Sequence, residues 1–103
     1  MEYKLEITDR AHDDLDEILT YISDTLCAPM AAANLIKSFE DCYDLLKSNP
    51  LIYPVSIMPK LAKKKIRRAP VKNYLVLYNV DKSASVVYIY RIVYGARNYI
   101  ELI

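Results

Sequence analysis

Glycine is nearly missing from this sequence: Gly95 is the only one in 103 residues, and no low-complexity run accompanies it. With 53% hydrophobic and 26% charged residues, that composition excludes a disordered tail and describes one small folded domain spanning 1–103. Histidine is as scarce. His12, the only one, falls beside two aspartates on the exposed side of a helical pattern, where a surface residue is the preferred reading over a catalytic one. No Ser-His-Asp set, metal-ligand cluster or glycine-rich phosphate loop is found, so nucleophilic, metal-dependent and nucleotide-dependent chemistry have no support. Neither a metal nor an organic cofactor is expected. The two cysteines, Cys27 and Cys42, lack metal-ligand spacing, and Met1–Thr8 lack the apolar core of a signal peptide. No apolar stretch approaches the roughly 20 residues that cross a bilayer. A cytoplasmic protein with reduced thiols and no membrane contact is the expectation. Any catalysis would fall to Arg, Lys and Tyr.

The net charge of +1 argues nothing about partners, but its distribution is polarised. Asp9, Asp13, Asp14, Asp16, Glu17 and Asp24 make the first third acidic. Lys60, Lys63, Lys64, Lys65, Arg67 and Arg68 make residues 60–68 basic with no acid between them.

Hydrophobic periodicity supplies the elements. Residues 3–7 alternate weakly, as a short strand does, and Thr8 or Asp9 offers an oxygen to cap a helix. Ala11, Leu15, Ile18, Leu19, Ile22 and Leu26 then recur at spacings of three and four, which predicts an amphipathic helix of about five turns. Pro29 suits the first residue of a second helix, whose stripe is Ala32, Leu35, Ile36, Phe39, Tyr43 and Leu46; Asn49-Pro50 ends it. A proline-broken connection over 50–62 leads to three strand-like runs, about 63–70, Tyr74 to Val80 and Val86 to Tyr94, with a turn at Asp81-Lys82-Ser83. The fold class is α+β: an N-terminal strand and a two-helix antiparallel hairpin packed on one face of a small, mostly antiparallel sheet. Both faces of the last two strands are largely apolar, so the face away from the helices is expected to be a half-wet groove that takes a partner.

Four groups of side chains invite a functional reading, each beside a plainer one. The basic run over 60–68, on a strand, would turn alternate cations toward phosphates; it equally describes an edge strand protected from aggregation. Arg68 and Arg97 would meet at one end of the sheet and clamp a phosphate, with surface ion pairing as the alternative. Gly95 permits positive φ or a close backbone approach where the last strand gives out, or simply makes a turn. Tyr94 and Tyr99 flank the Gly-Ala-Arg step and could stack on a base or take a proton; packing is the plainer role for any one of ten tyrosines.

In order and wording the chain resembles the RelE/ParE toxins of bacterial type II toxin–antitoxin systems over nearly its whole length. Arg67-Arg68-Ala69-Pro70-Val71-Lys72-Asn73-Tyr74-Leu75-Val76-Leu77-Tyr78 is similar to that family's Arg-Arg followed by a strand ending in Tyr. Tyr90-Arg91-Ile92-Val93-Tyr94-Gly95-Ala96-Arg97-Asn98 is similar to its closing Arg-Ile/Val-x-His-Gly-x-Arg-Asp signature, with Tyr94 for His and Asn98 for Asp. The resemblance implies a toxin silenced by an antitoxin encoded beside it. RelE-type members cut messenger RNA in the ribosomal A site; ParE-type members poison DNA gyrase without cutting anything themselves. For RNA cleavage the resemblance assigns catalysis to Arg68 and Arg97 with Tyr99 standing in for a C-terminal tyrosine, and RNA binding to Lys63, Lys65 and Arg67. The arginine pair makes RNA cleavage the leading expectation. Gyrase inhibition comes next, with a non-toxic antitoxin-binding module after it.

Overall fold

The computed structural model describes residues 2–95. In chain order these form β1 (Lys4–Ile7), α1 (Asp9–Thr20) running into a π-helical turn (Tyr21–Thr25), α2 (Pro29–Ser48), a short α3 (Pro59–Lys63), β2 (Arg67–Val71), β3 (Tyr74–Asp81) and β4 (Val86–Tyr94). The strands make one sheet in the order β1-β4-β3-β2, in which β1 runs parallel to β4 and the other pairs are antiparallel. This is the α+β architecture expected from the sequence. Among the described residues no helix is long and apolar enough to cross a membrane.

Local chemistry sets the element ends. Thr8 caps α1, its hydroxyl accepting from the Ala11 N–H at 3.1 Å. Pro29 occupies the first turn of α2, where a missing N–H costs no helical bond. With so little glycine, left-handed backbone falls on other residues: Cys27, Lys65, Lys72 and Ser85 have φ between 51° and 57°. Two of these close helices. The Ala28 N–H reaches back to the Ile22 carbonyl around Cys27, and the Ile66 N–H to the Leu61 carbonyl around Lys65, the reverse turn that glycine usually makes at a helix end. A side chain in this region costs about 1 kcal/mol. Lys65→Gly and Cys27→Gly are therefore each expected to raise stability by about 1 kcal/mol, read as a higher midpoint in urea.

The main core lies between the helices and one sheet face, where Ala11, Leu35, Phe39 and Leu46 meet Val76, Tyr78, Val87, Ile89 and Ile92. Two expectations need correction. Leu26 continues the apolar stripe of α1 on paper but is 54% exposed, because the intervening π turn holds an extra residue and rotates the next residues out of phase. Ile36, counted in the stripe of α2, is 39% exposed, and Cys42 takes the buried position beside Phe39 and Leu46.

The second face is not left open. α3 lays Leu61, with Met58 and Ile66, against Leu77 and Val93, and Leu75 and Tyr90 pack around this smaller cluster. The basic stretch accordingly splits. Lys63 ends α3 and Lys65 sits in the left-handed turn, so neither belongs to a strand, contrary to the expected run from 63 to 70; β2 begins only at Arg67.

Candidate functional site

Alternation along β2 sends its two arginines to opposite sides. Arg68 stands opposite Leu77, in the row of the second face. It is half-buried there. On the same face the Lys64 ammonium lies 5.7 Å from the centre of the Tyr90 ring, so α3 brings one cation over an aromatic surface. Arg67 stands opposite Tyr78 and donates to the Tyr53 carbonyl, which fixes the proline loop to the strand.

Lys65 and Arg67 do come together. With Lys82, Asn79, Asp81, Tyr88, Leu51 and Val55 they line a groove of about 490 Å³, where three cations surround one carboxylate beside a tyrosine that is 38% exposed. Such a lining suits an acidic or phosphate-bearing chain. Lys63 is exposed on α3 and is not part of this lining, nor is Arg68. Arg97 and Tyr99 lie outside the described residues. The chain leaves β4 at Gly95, whose N–H donates to the Asn73 carbonyl at 2.8 Å. A Cβ on Gly95 would lie 3.2 Å from that oxygen. Its φ is not positive, so close approach is the reason for glycine here.

A site that sequence reasoning missed lies where β4 outruns its neighbour. β1 pairs with β4 only as far as Ile89, so from Tyr90 onward that side of β4 is an edge. Two side chains of the α1 region close it. The Thr8 hydroxyl donates to the Tyr90 carbonyl at 2.9 Å, and Asp14 Oδ2 accepts the Ile92 N–H at 3.0 Å. The same carboxylate takes the Arg91 guanidinium in a fork, Nε to Oδ2 at 2.7 Å and Nη2 to Oδ1 at 2.9 Å. The two side chains are only 9% and 11% exposed. The Asp14 hydrogen bonds hold the Arg91 pKa above its ordinary value, against the opposing effect of burial. A signal was present: an arginine inside an otherwise apolar strand requires a buried acid.

The groups with shifted titration are structural. Burial pushes the Cys42 thiol up to about 11 and the Tyr43 and Tyr78 phenols up to about 12. The Tyr43 hydroxyl is buried without a hydrogen-bond partner among the described residues. Because the neutral form is favoured in the fold, these groups cost nothing below pH 9, where the unfolded thiol is also protonated. Above it the unfolded chain gains by ionising and the fold does not. The contribution of these groups to stability is thus expected to be flat through neutral pH and to fall through about pH 9–11 in urea titrations, with Cys42→Ala flattening the first part of the fall.

The chain is similar over most of its length to known toxins. A family model of the ParE toxin of type II toxin–antitoxin systems, parDE, matches residues 5–99. Among solved structures, a chromosomal ParDE toxin–antitoxin system from Pseudomonas aeruginosa superimposes with a TM-score of 0.69 at 20% identity, covering 90% of this chain and 96% of that one. The RelBE2 toxin–antitoxin complex of Mycobacterium tuberculosis gives 0.63 at 23% identity, covering 91% and 99%. The archaeal RelE–RelB complex from Pyrococcus horikoshii gives 0.62 at 19% identity, covering 94% and 99%. No curated protein matches in sequence. At these identities the structural likenesses establish the fold, and the family match over residues 5–99 establishes membership: the chain belongs to the ParE toxins of type II toxin–antitoxin systems.

Proposed function

We propose that this toxin arrests growth by binding DNA gyrase rather than by cutting RNA, and that a cognate antitoxin encoded beside it holds it silent. The observation that carries the reading is that, among the described residues, Arg68 and Lys63 do not join the cations that line the groove. Transition-state stabilisation at a phosphate needs cations converging on one point. Here Lys63 ends a helix, Lys65 and Arg67 open into the groove beside β3, and Arg68 faces the apolar second face. The groove cations Lys65, Arg67 and Lys82, beside Tyr88 and the apolar Leu51 and Val55, suit contact with an acidic protein surface. The ParE family match supports the same target.

One observation favours the ribonuclease reading as the second choice: Lys65, Arg67 and Tyr88 share a groove that an RNA strand could follow. On that reading Arg68, Arg97 and Tyr99 act on the message in the ribosome, and Lys63 adds to RNA binding.

Inducible expression in bacteria, with mapping of messenger-RNA ends and a gyrase supercoiling assay on the purified protein, separates these. The expected result is filamentous growth arrest, intact messages and lost supercoiling. In-frame cuts that Arg68→Ala or Arg97→Ala abolishes would replace the gyrase reading with the ribonuclease one. Unaffected growth at proven soluble expression would sink both and leave a non-toxic antitoxin-binding module.

A further inference from the structure

A sheet with open edges recruits further strands, and this fold closes its edges one at a time. The outer side of β2 is bridged by Val55, the Ser56 N–H donates to the Ile66 carbonyl, and farther along stands Pro70, which has no N–H to offer. The upper part of β4 is closed by Thr8 and Asp14. At the start of β1 the Tyr3 N–H is taken by the Lys47 carbonyl at the end of α2.

One edge that stays open among the described residues is the outer side of β1 from Leu5 to Ile7. Lys4 and Thr8 donate their N–H groups inward to Ser85 and Ile89. Alternation therefore turns the N–H and C=O groups of Leu5 and Ile7 outward, and among the described residues no strand pairs with them. The side chains here are self-complementary. Leu5 and Ile7 are half-buried on the helix side, while Lys4 and Glu6 stand on the other side, 74% and 50% exposed and 3.5 Å apart.

We infer that two copies of this chain pair through β1, antiparallel and centred on Leu5, joining their sheets edge to edge. That register lets the two Leu5 residues exchange backbone hydrogen bonds, and lets each Ile7 N–H reach the Tyr3 carbonyl of the other copy without disturbing the Tyr3–Lys47 bond. It sets Lys4 of one copy opposite Glu6 of the other, twice. Centring on Glu6 instead would oppose two glutamates, so charge selects the register. A two-fold axis through the Leu5 pair closes the assembly and leaves no further open strand edge on β1, so growth stops at two.

Sedimentation of the full-length chain over a range of concentrations tests this. The wild type is expected to dimerise reversibly. Lys4→Glu and Glu6→Lys should each weaken the dimer about tenfold or more, by opposing like charges at both contacts. Mixing the two variants should restore a dimer of wild-type strength, because each then faces the opposite charge. That outcome cannot come from misfolding of either variant. A wild type that stays monomeric at every concentration would overturn the proposal. A dimer indifferent to both reversals, or a mixture no stronger than its components, would do so too, by placing the contact on another face.

Discussion

Asp14→Ala is expected to destabilise the fold by about 3–5 kcal/mol, read from urea melts at neutral pH. The change does three things at once. It takes the fork of hydrogen bonds from the Arg91 guanidinium, 9% exposed; it removes the carboxylate that accepts the Ile92 N–H; and it opens the contact between α1 and β4. Leaving a buried charge without that fork, rather than losing the attraction itself, accounts for most of the cost. Replacing both partners by apolar residues, Asp14→Leu with Arg91→Met, is therefore expected to recover much of what the single change loses. A double variant as unstable as the single one would mean that the pair itself, with its geometry, stabilises the fold. The raised Arg91 pKa gives the sign with pH. A base with a raised folded pKa contributes below its unfolded value, which for guanidinium covers the whole working range, so the penalty of losing Asp14 should vary little through neutral pH.

The consequence reaches the end of β4. β4 delivers the chain to Gly95, beyond which lie Arg97 and Tyr99, and Asp14 holds the unpaired side of that strand three residues earlier. Asp14→Ala should therefore loosen the end of β4 before it unfolds the domain, seen as faster amide exchange at Ile92 than at Val76.

How much of this was legible in the residues depends on which physical signal each element carries. α2 declared itself through Pro29, a long apolar stripe and Asn49-Pro50, and the structure keeps those bounds. The hairpin of β3 and β4 was visible as two apolar runs around a polar turn. α3 was not. Helix ends are usually read from glycine, and here the reverse turn falls on Lys65, so residues 59–62 read as the end of the proline-broken connection and 63–66 as the start of the strand. That hidden helix end is also why the basic stretch read as one row of cations. The π turn was hidden for a different reason: a single extra residue leaves composition untouched and shows only as a phase error at Leu26. Arg91 stands out in the sequence for its place in a motif, while its buried position called for an acid that any of several in the first third could have supplied. Three-dimensional register chose Asp14.

The proline loop over 50–58 offers the other large effect, because two side chains of the sheet hold it. Tyr78 is fully buried, and its hydroxyl donates to the Pro50 carbonyl at 2.8 Å. Arg67 in the neighbouring strand donates to the Tyr53 carbonyl, and its charge draws the Tyr78 pKa part of the way down against burial. Tyr78→Ala empties the largest fully buried side chain and is expected to cost about 3–5 kcal/mol. Tyr78→Phe keeps the ring and removes only the bond, leaving the Pro50 carbonyl unsatisfied, at about 1–2 kcal/mol. The two variants divide the anchor into packing and polarity. Val55, Leu51 and Arg67 also line the groove beside Lys65, so the phenylalanine variant should loosen one groove wall while the core stays packed. In a growth assay at equal soluble expression, Tyr78→Phe is expected to weaken toxicity if that groove contacts the target. Unchanged toxicity together with a lower melting point would confine Tyr78 to the fold and move the target contact elsewhere.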